Sequence, residues 1–169
     1  LDNYFENRLS NVVDSRSQSI VSLNSAFHED GTVILVKKNT DISGYIEIIN
    51  LSQNQNNLMN HIRSLIHLEE GAKCNVIDRT LNLESKNNLS FASQVIDITL
   101  CKKANLSLMR FIEGNIDNTK ISSIHSDIED SAVLNASSFI CSKGDAREEI
   151  RVNMNGNNSI ADINGLVLG

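Results

Sequence analysis

RSLIHLEEGAKCNVIDRTL, residues 63–81, holds the repeating unit of this chain. Ile66 and Leu68 alternate toward one side, Glu69, Glu70 and Gly71 make a short bend, and Ala72, Cys74 and Val76 resume the alternation. A period of two is that of a half-buried strand. The unit recurs. Ile98 and Leu100 lead through Cys101, Lys102 and Lys103 into Ala104, Leu106 and Leu108, and Ser126 and Ile128 lead through Glu129, Asp130 and Ser131 into Ala132, Leu134 and Ala136. A fourth copy runs from Val152 and Met154 through a longer bend, 155–158, into Ser159, Ala161 and Ile163. The small residue after each bend falls at 72, 104, 132 and 159, at intervals of 32, 28 and 27.

Strand pairs joined by short bends suit two architectures. Hairpins of a β-sandwich call for Asn-Gly or Asp-Gly turns, and among the four bends only that with Asn155-Gly156 supplies one. A right-handed parallel β-helix instead turns at each bend and returns one rung higher. It would stack Leu68, Leu100, Ile128 and Met154 in one interior column and Ala72, Ala104, Ala132 and Ser159 in another. Small residues at the same place in every copy are what a tight corner between stacked rungs requires, so the repeat predicts the all-β solenoid.

Outward from the repeat, the pattern of two begins near Thr32, with Val33 and Leu35 alternating against Ile34 and Val36, and continues through Ile46 and Ile48. Polar stretches at 53–57, 84–88 and 115–120 read as loops whose varying lengths change the interval without changing the strand phase. Pro is absent, so no strand is missing a donor on that account. Ahead of the solenoid, Phe5, Leu9, Val12 and Val13 form a helical stripe, and Ile20, Leu23 and Phe27 form a second. The expected organisation is a helical cap over residues 1–29, packing on the first turn, and a β-helix core over 30–169 that is incomplete at its C-terminal end.

Aromatic residues make up 4% of the chain and Trp is absent, so the interior must be narrow and aliphatic. A net charge of −6 without a basic cluster argues against nucleic acid. No apolar run reaches the roughly 18 residues of a membrane span. Cys74, Cys101 and Cys141 are odd in number and widely spaced, which fits reduced thiols in the cytoplasm and not a disulfide framework or zinc knuckle.

Candidate chemistry is sparse. His28, His61, His67 and His125 have no helical or Cys partner in sequence and read as surface histidines, and nothing beside Cys101 or Cys141 is placed to lower a thiol pKa. Asp127, Glu129 and Asp130, followed one rung later by Arg147, Glu148, Glu149 and Arg151, form an acidic ledge beside arginines. Polysaccharide lyases built on β-helices use such groups to hold calcium and move a proton, and this is the alternative reading; the simpler one is a solvated outer face with cross-rung ion pairs. No Gly-rich phosphate loop occurs. No catalytic, cofactor-binding or metal-binding residue is assigned.

Leu23-Asn24-Ser25-Ala26-Phe27 with Asp30-Gly31, then Leu65 to Ala72, then Asn164-Gly165-Leu166, resemble the SufB/SufD family of iron–sulfur cluster assembly proteins, and SufD more than SufB. The similarity runs from about Val21 to the end. The resemblance implies a parallel β-helix and a non-catalytic scaffold that pairs with a SufB-like subunit and a SufC-like ABC ATPase, in the cytoplasm or an organelle stroma. It also implies that the family's interface strands and ATPase-docking helices lie beyond Gly169, so no cluster, iron or flavin contact is carried onto a residue here. Self-association through an exposed last rung is expected.

Overall fold

The computed structural model describes residues 19–53, 59–83, 90–114 and 118–169. Among the described residues one helix, α1 (Ser19–Phe27), precedes ten strands: β1 (Val33–Val36), β2 (Asp41–Gln53), β3 (Met59–Leu68), β4 (Lys73–Leu83), β5 (Ser90–Leu100), β6 (Asn105–Gly114), β7 (Asn118–Ile128), β8 (Val133–Ser142), β9 (Ala146–Met154) and β10 (Ile160–Leu168). Odd-numbered strands form one sheet, in the order β1-β3-β5-β7-β9, and even-numbered strands form the other, in the order β2-β4-β6-β8-β10. Every pairing is parallel. Each coil thus lays one strand in each sheet, and the molecule is the parallel β-solenoid that the repeat predicts.

The predicted columns are present. Leu68 pairs with Leu100, Leu100 with Ile128 and Ile128 with Met154. Leu68, Leu100 and Ile128 are fully buried, whereas Met154, on the last described coil, is 51% exposed. Ala72, Ala104 and Ala132 have no exposed surface, and the carbonyl of each accepts from the coil above: Asn105 N–H at 2.9 Å, Val133 N–H at 2.8 Å and Ile160 N–H at 2.9 Å. A larger side chain at these corners would meet the neighbouring coil. Each buried aliphatic of the core contributes about 1.5–3 kcal/mol before chain entropy is subtracted.

A further corner at Lys37–Thr40, which the sequence reading ran through as strand, starts the series. The residue preceding Thr40, Ala72, Ala104, Ala132 and Ser159 is left-handed in each case: Asn39 (φ 56°), Gly71 (68°), Lys103 (60°), Ser131 (56°) and Asn158 (55°). Its N–H reaches into the next coil where one follows, as in Gly71 N–H to Lys102 O at 2.9 Å. Gly71 announces this conformation by residue type, and so do Asn39 and Asn158; the coil above and below imposes it on Lys103 and Ser131 despite the steric cost.

Charge alternates along the same corners. Lys37 and Lys38 lie under Glu69 and Glu70, with Nζ to carboxylate distances of 3.0 and 2.6 Å; Lys102 and Lys103 follow, then Glu129 and Asp130. The lysine partners hold the Glu69 and Glu70 carboxyls below the usual range. Exposed pairs are worth only about 0.2–1 kcal/mol each.

Other expectations needed revision. α1 contacts β3 and β5 on the outer face of the first sheet. Asn24 fixes it there, its amide donating to the carbonyls of Ile62 and Ser93, both at 3.1 Å. Residues 118–120, read as loop, open β7. The helical stripe over 2–13, the 84–88 loop and most of the 53–57 loop lie outside the described residues.

Candidate functional site

Inward positions of β4 and β6 are apolar as far as Val76 and Leu108, and the next inward pair is Asp78 and Arg110, directly hydrogen-bonded neighbours in register. Facing them from the other sheet, Gln94, Ser122 and Glu148 stack in a second column. Arg110 and Asp78 are each 1% exposed. Arg110 Nε donates to Asp78 Oδ2 at 2.9 Å, Nη1 to Ser122 Oγ at 2.7 Å and to Glu148, and Nη2 to Gln94 Oε1 at 2.7 Å. Asp78 also accepts from Asn50 Nδ2 at 2.7 Å and from Gln94 Nε2. Such a layer persists in a low-dielectric interior only because the guanidinium is engaged on every nitrogen. It divides the aliphatic core from the loop end of the solenoid.

Beyond the layer lies a cleft of about 40 Å³ between the sheets, with Asn60, Thr80, Ile112, Lys120, Ile140 and Ala146 in its walls. Lys120 is 8% exposed and its amine donates to the Glu113 carbonyl. Burial pushes this amine down from 10.5 to about 8. Between those two values the folded chain binds fewer protons than the unfolded one, so stability rises with pH across the window, and the cost of burying the charge is fully present below about 8. Lys120→Met is therefore expected to stabilise the chain by about 2 kcal/mol at pH 7, after subtracting the lost hydrogen bond, with the gain fading toward pH 10.5. Urea midpoints of both proteins at neutral and alkaline pH would check this; an equal gain at both would rule it out.

A second constellation lies on the outer face of the first sheet. Arg63 binds Asp97 through Nε at 2.9 Å and Nη2 at 2.8 Å, and Asp97 lies 3.4 Å from His125 Nδ1. His61 sits between the rings of Phe27 and Phe91, its Nδ1 2.7 Å from Ser93 Oγ, and burial lowers its pKa. His67 Nε2 lies 3.8 Å from Cys101 Sγ. His61 and His67 are 7% and 8% exposed, which corrects the expectation of surface histidines. The sequence reading also found no histidine for Cys101, because the two residues are 34 apart and meet only across adjacent coils.

The acidic ledge comes apart in three dimensions. Glu129 and Asp130 cap corner N–H groups, of Lys102 at 3.0 Å and Asn157 at 2.7 Å. Asp127 accepts from Asn153 and Asn155 on the outer face. Glu149 holds Arg151 at 2.5 Å, and that pairing keeps its carboxyl below the usual range. Glu148, read as part of a solvated face, turns inward to Arg110. Among the described residues no three His, Cys, Asp or Glu side chains converge as a metal-ligand set. Arg110, the centre of the main polar cluster, was not singled out in sequence. The period-two phase of β6 could have found it, since Leu106, Leu108 and Arg110 share one face.

Set against known families, residues 50–169 match the model described as SUF system FeS cluster assembly, SufBD core domain. No curated protein and no solved structure matches the chain. The matched segment begins within β2 and takes in every later strand.

Proposed function

Because the chain belongs to the SufBD core family of the SUF iron–sulfur cluster assembly system, we propose that it is a non-catalytic, SufD-like scaffold subunit of that machinery. The observation that carries this reading is the coincidence of the matched segment with the solenoid itself. In such a role the β-helix supplies a rigid body whose flat faces and open strand edges meet partner proteins, and the cluster is cargo handled by the assembly. The interior supports the reading in a second way: Asp78, Arg110 and Glu148 are tied to one another in one layer, as befits a structural element. The partners are a SufB-like subunit and a SufC-like ABC ATPase, and the compartment is the cytoplasm, or a stroma in a plastid-bearing cell.

The test is anaerobic isolation of the native protein from its own cells, with identification of what accompanies it. Co-purification of an ABC-type ATPase and a second β-helical subunit is the expected result. Isolation without either would overturn the scaffold assignment.

A further inference from the structure

The corner after β5 brings one thiol within reach of one imidazole. In register, His67 on β3 lies beside Thr99 on β5, and Cys101 follows two residues later as the first residue of the next corner. Cys101 Sγ stands 3.8 Å from His67 Nε2, a separation that an S–H to N hydrogen bond spans because sulfur is large. The backbone that carries the thiol is fixed on both sides: Cys101 N–H donates to the Leu68 carbonyl at 3.0 Å, and the Cys101 carbonyl accepts from Ala104 N–H at 2.9 Å. His67 is 8% exposed, so packing holds its ring in place, while Cys101 stays partly open to solvent. A nucleophile and a base at hydrogen-bond distance on rigid elements are what activation of a thiol requires.

The other two thiols set the comparison. Cys74 is 2% exposed, and burial pushes its thiol up. Cys141 is exposed, with Glu113 and Leu168 as its in-register neighbours on β6 and β10. Exposure alone makes Cys141 the reactive thiol; the imidazole makes it Cys101. Charges of both signs surround the pair. Glu69, whose carboxyl is held low first by Lys37 and more weakly by His67, favours the imidazolium, as does Asp127 in the row beyond Thr99. Lys102 and Lys103, on the thiol's own corner, favour the thiolate, and Glu129 on the next corner offsets them while capping Lys102 N–H at 3.0 Å. We propose that Cys101 is a site of thiol modification, with His67 as its base and a small disulfide as its co-reactant. The Cys101 proton passes to His67 Nε2 and the thiolate attacks one sulfur of the disulfide. The new S–S bond forms as the old one breaks, and the departing thiolate takes the proton from the imidazolium. Cys101 is thereby oxidised to a mixed disulfide, and half of the small disulfide is reduced to a thiol. An acid–base pair suits this exchange because a proton must leave the entering sulfur and return to the departing one. The reaction is stoichiometric; the inference goes beyond the scaffold assignment and does not depend on it.

Timed reaction of the folded 169-residue chain with glutathione disulfide, resolved cysteine by cysteine through peptide mapping, tests it. Near pH 6 an unassisted thiol is almost wholly protonated, so Cys101 is expected to react about tenfold faster than Cys141, with the gap narrowing at about pH 8. In the chain unfolded by urea the two rates should converge, since Lys102 and Lys103 remain beside Cys101 there and His67 does not. His67→Asn should lower the Cys101 rate near pH 6 by about tenfold and leave Cys141 unchanged. Cys101 no faster than Cys141 near pH 6, an advantage of Cys101 that survives unfolding, or a Cys101 rate indifferent to His67→Asn would each overturn the proposal. Circular dichroism checks that His67→Asn folds. If it does not, the comparison of the folded and unfolded unaltered chain decides by itself, because it needs no variant.

Discussion

Arg110→Met is expected to destabilise the chain by about 3–5 kcal/mol, measured as a drop in urea midpoint, because it leaves Asp78 and Glu148 charged and unmatched in the interior. The guanidinium contributes through four neighbours at once, so no single replacement hydrogen bond restores the layer. The triple variant Asp78→Leu, Arg110→Met, Glu148→Leu should recover most of the loss. Removing an entire buried ion cluster in favour of apolar side chains is often neutral or stabilising, since the desolvation cost disappears with the charges. A single variant that loses less than about 1 kcal/mol would show that water reaches this layer and screens it. A triple variant no better than the single one would show instead that the layer specifies the fit between the sheets.

Gly31→Ala is expected to cost about 3 kcal/mol, concentrated in the first coil. A Cβ at this position would stand 1.7 Å from the Arg63 carbonyl oxygen, a backbone atom that cannot move without taking β3 with it. The neighbouring bonds are those that begin the solenoid: Arg63 N–H to Asp30 O at 3.0 Å and Leu65 N–H to Thr32 O at 2.8 Å. Hydrogen exchange should therefore accelerate in β1 and the facing part of β3 while β7 and β8 stay protected. Gly44→Ala is the control, with nothing within 4 Å of the added carbon, and should change stability by less than about 0.5 kcal/mol. Equal effects of the two substitutions would remove the close approach at Gly31 as the explanation.

The polar layer was present in the alternation of single strands, yet it was not legible as a site. Asp78 and Arg110 lie on the inward phase of their strands, but strand phase alone does not say that they become hydrogen-bonded neighbours. Their pairing depends on how many residues the chain spends between coils, and that number varies. Glu148 was misassigned for the same reason: grouped with Arg147 and Glu149 by proximity in sequence, it belongs with Ser122 and Gln94 by stacking. The acidic ledge suggested chemistry only while its members were imagined on one surface.

The sequence by itself determined the solenoid. Period-two strands, recurring bends and a small residue after each of them are local properties, and any chain that repeats them buries its aliphatic side by stacking coil on coil. It pointed to the family as well, through short motifs of which Leu65 to Ala72 and Asn164-Gly165-Leu166 lie on that repeat. Only the tertiary structure decided which side chains meet: Arg110 with Glu148, His67 with Cys101, α1 with β3 and β5, Phe111 with Phe139. The physical reason is distance along the chain. Contacts between coils join residues roughly thirty positions apart through a register that corners and loops set together, so a side chain's neighbours are fixed only once the whole stack is in place.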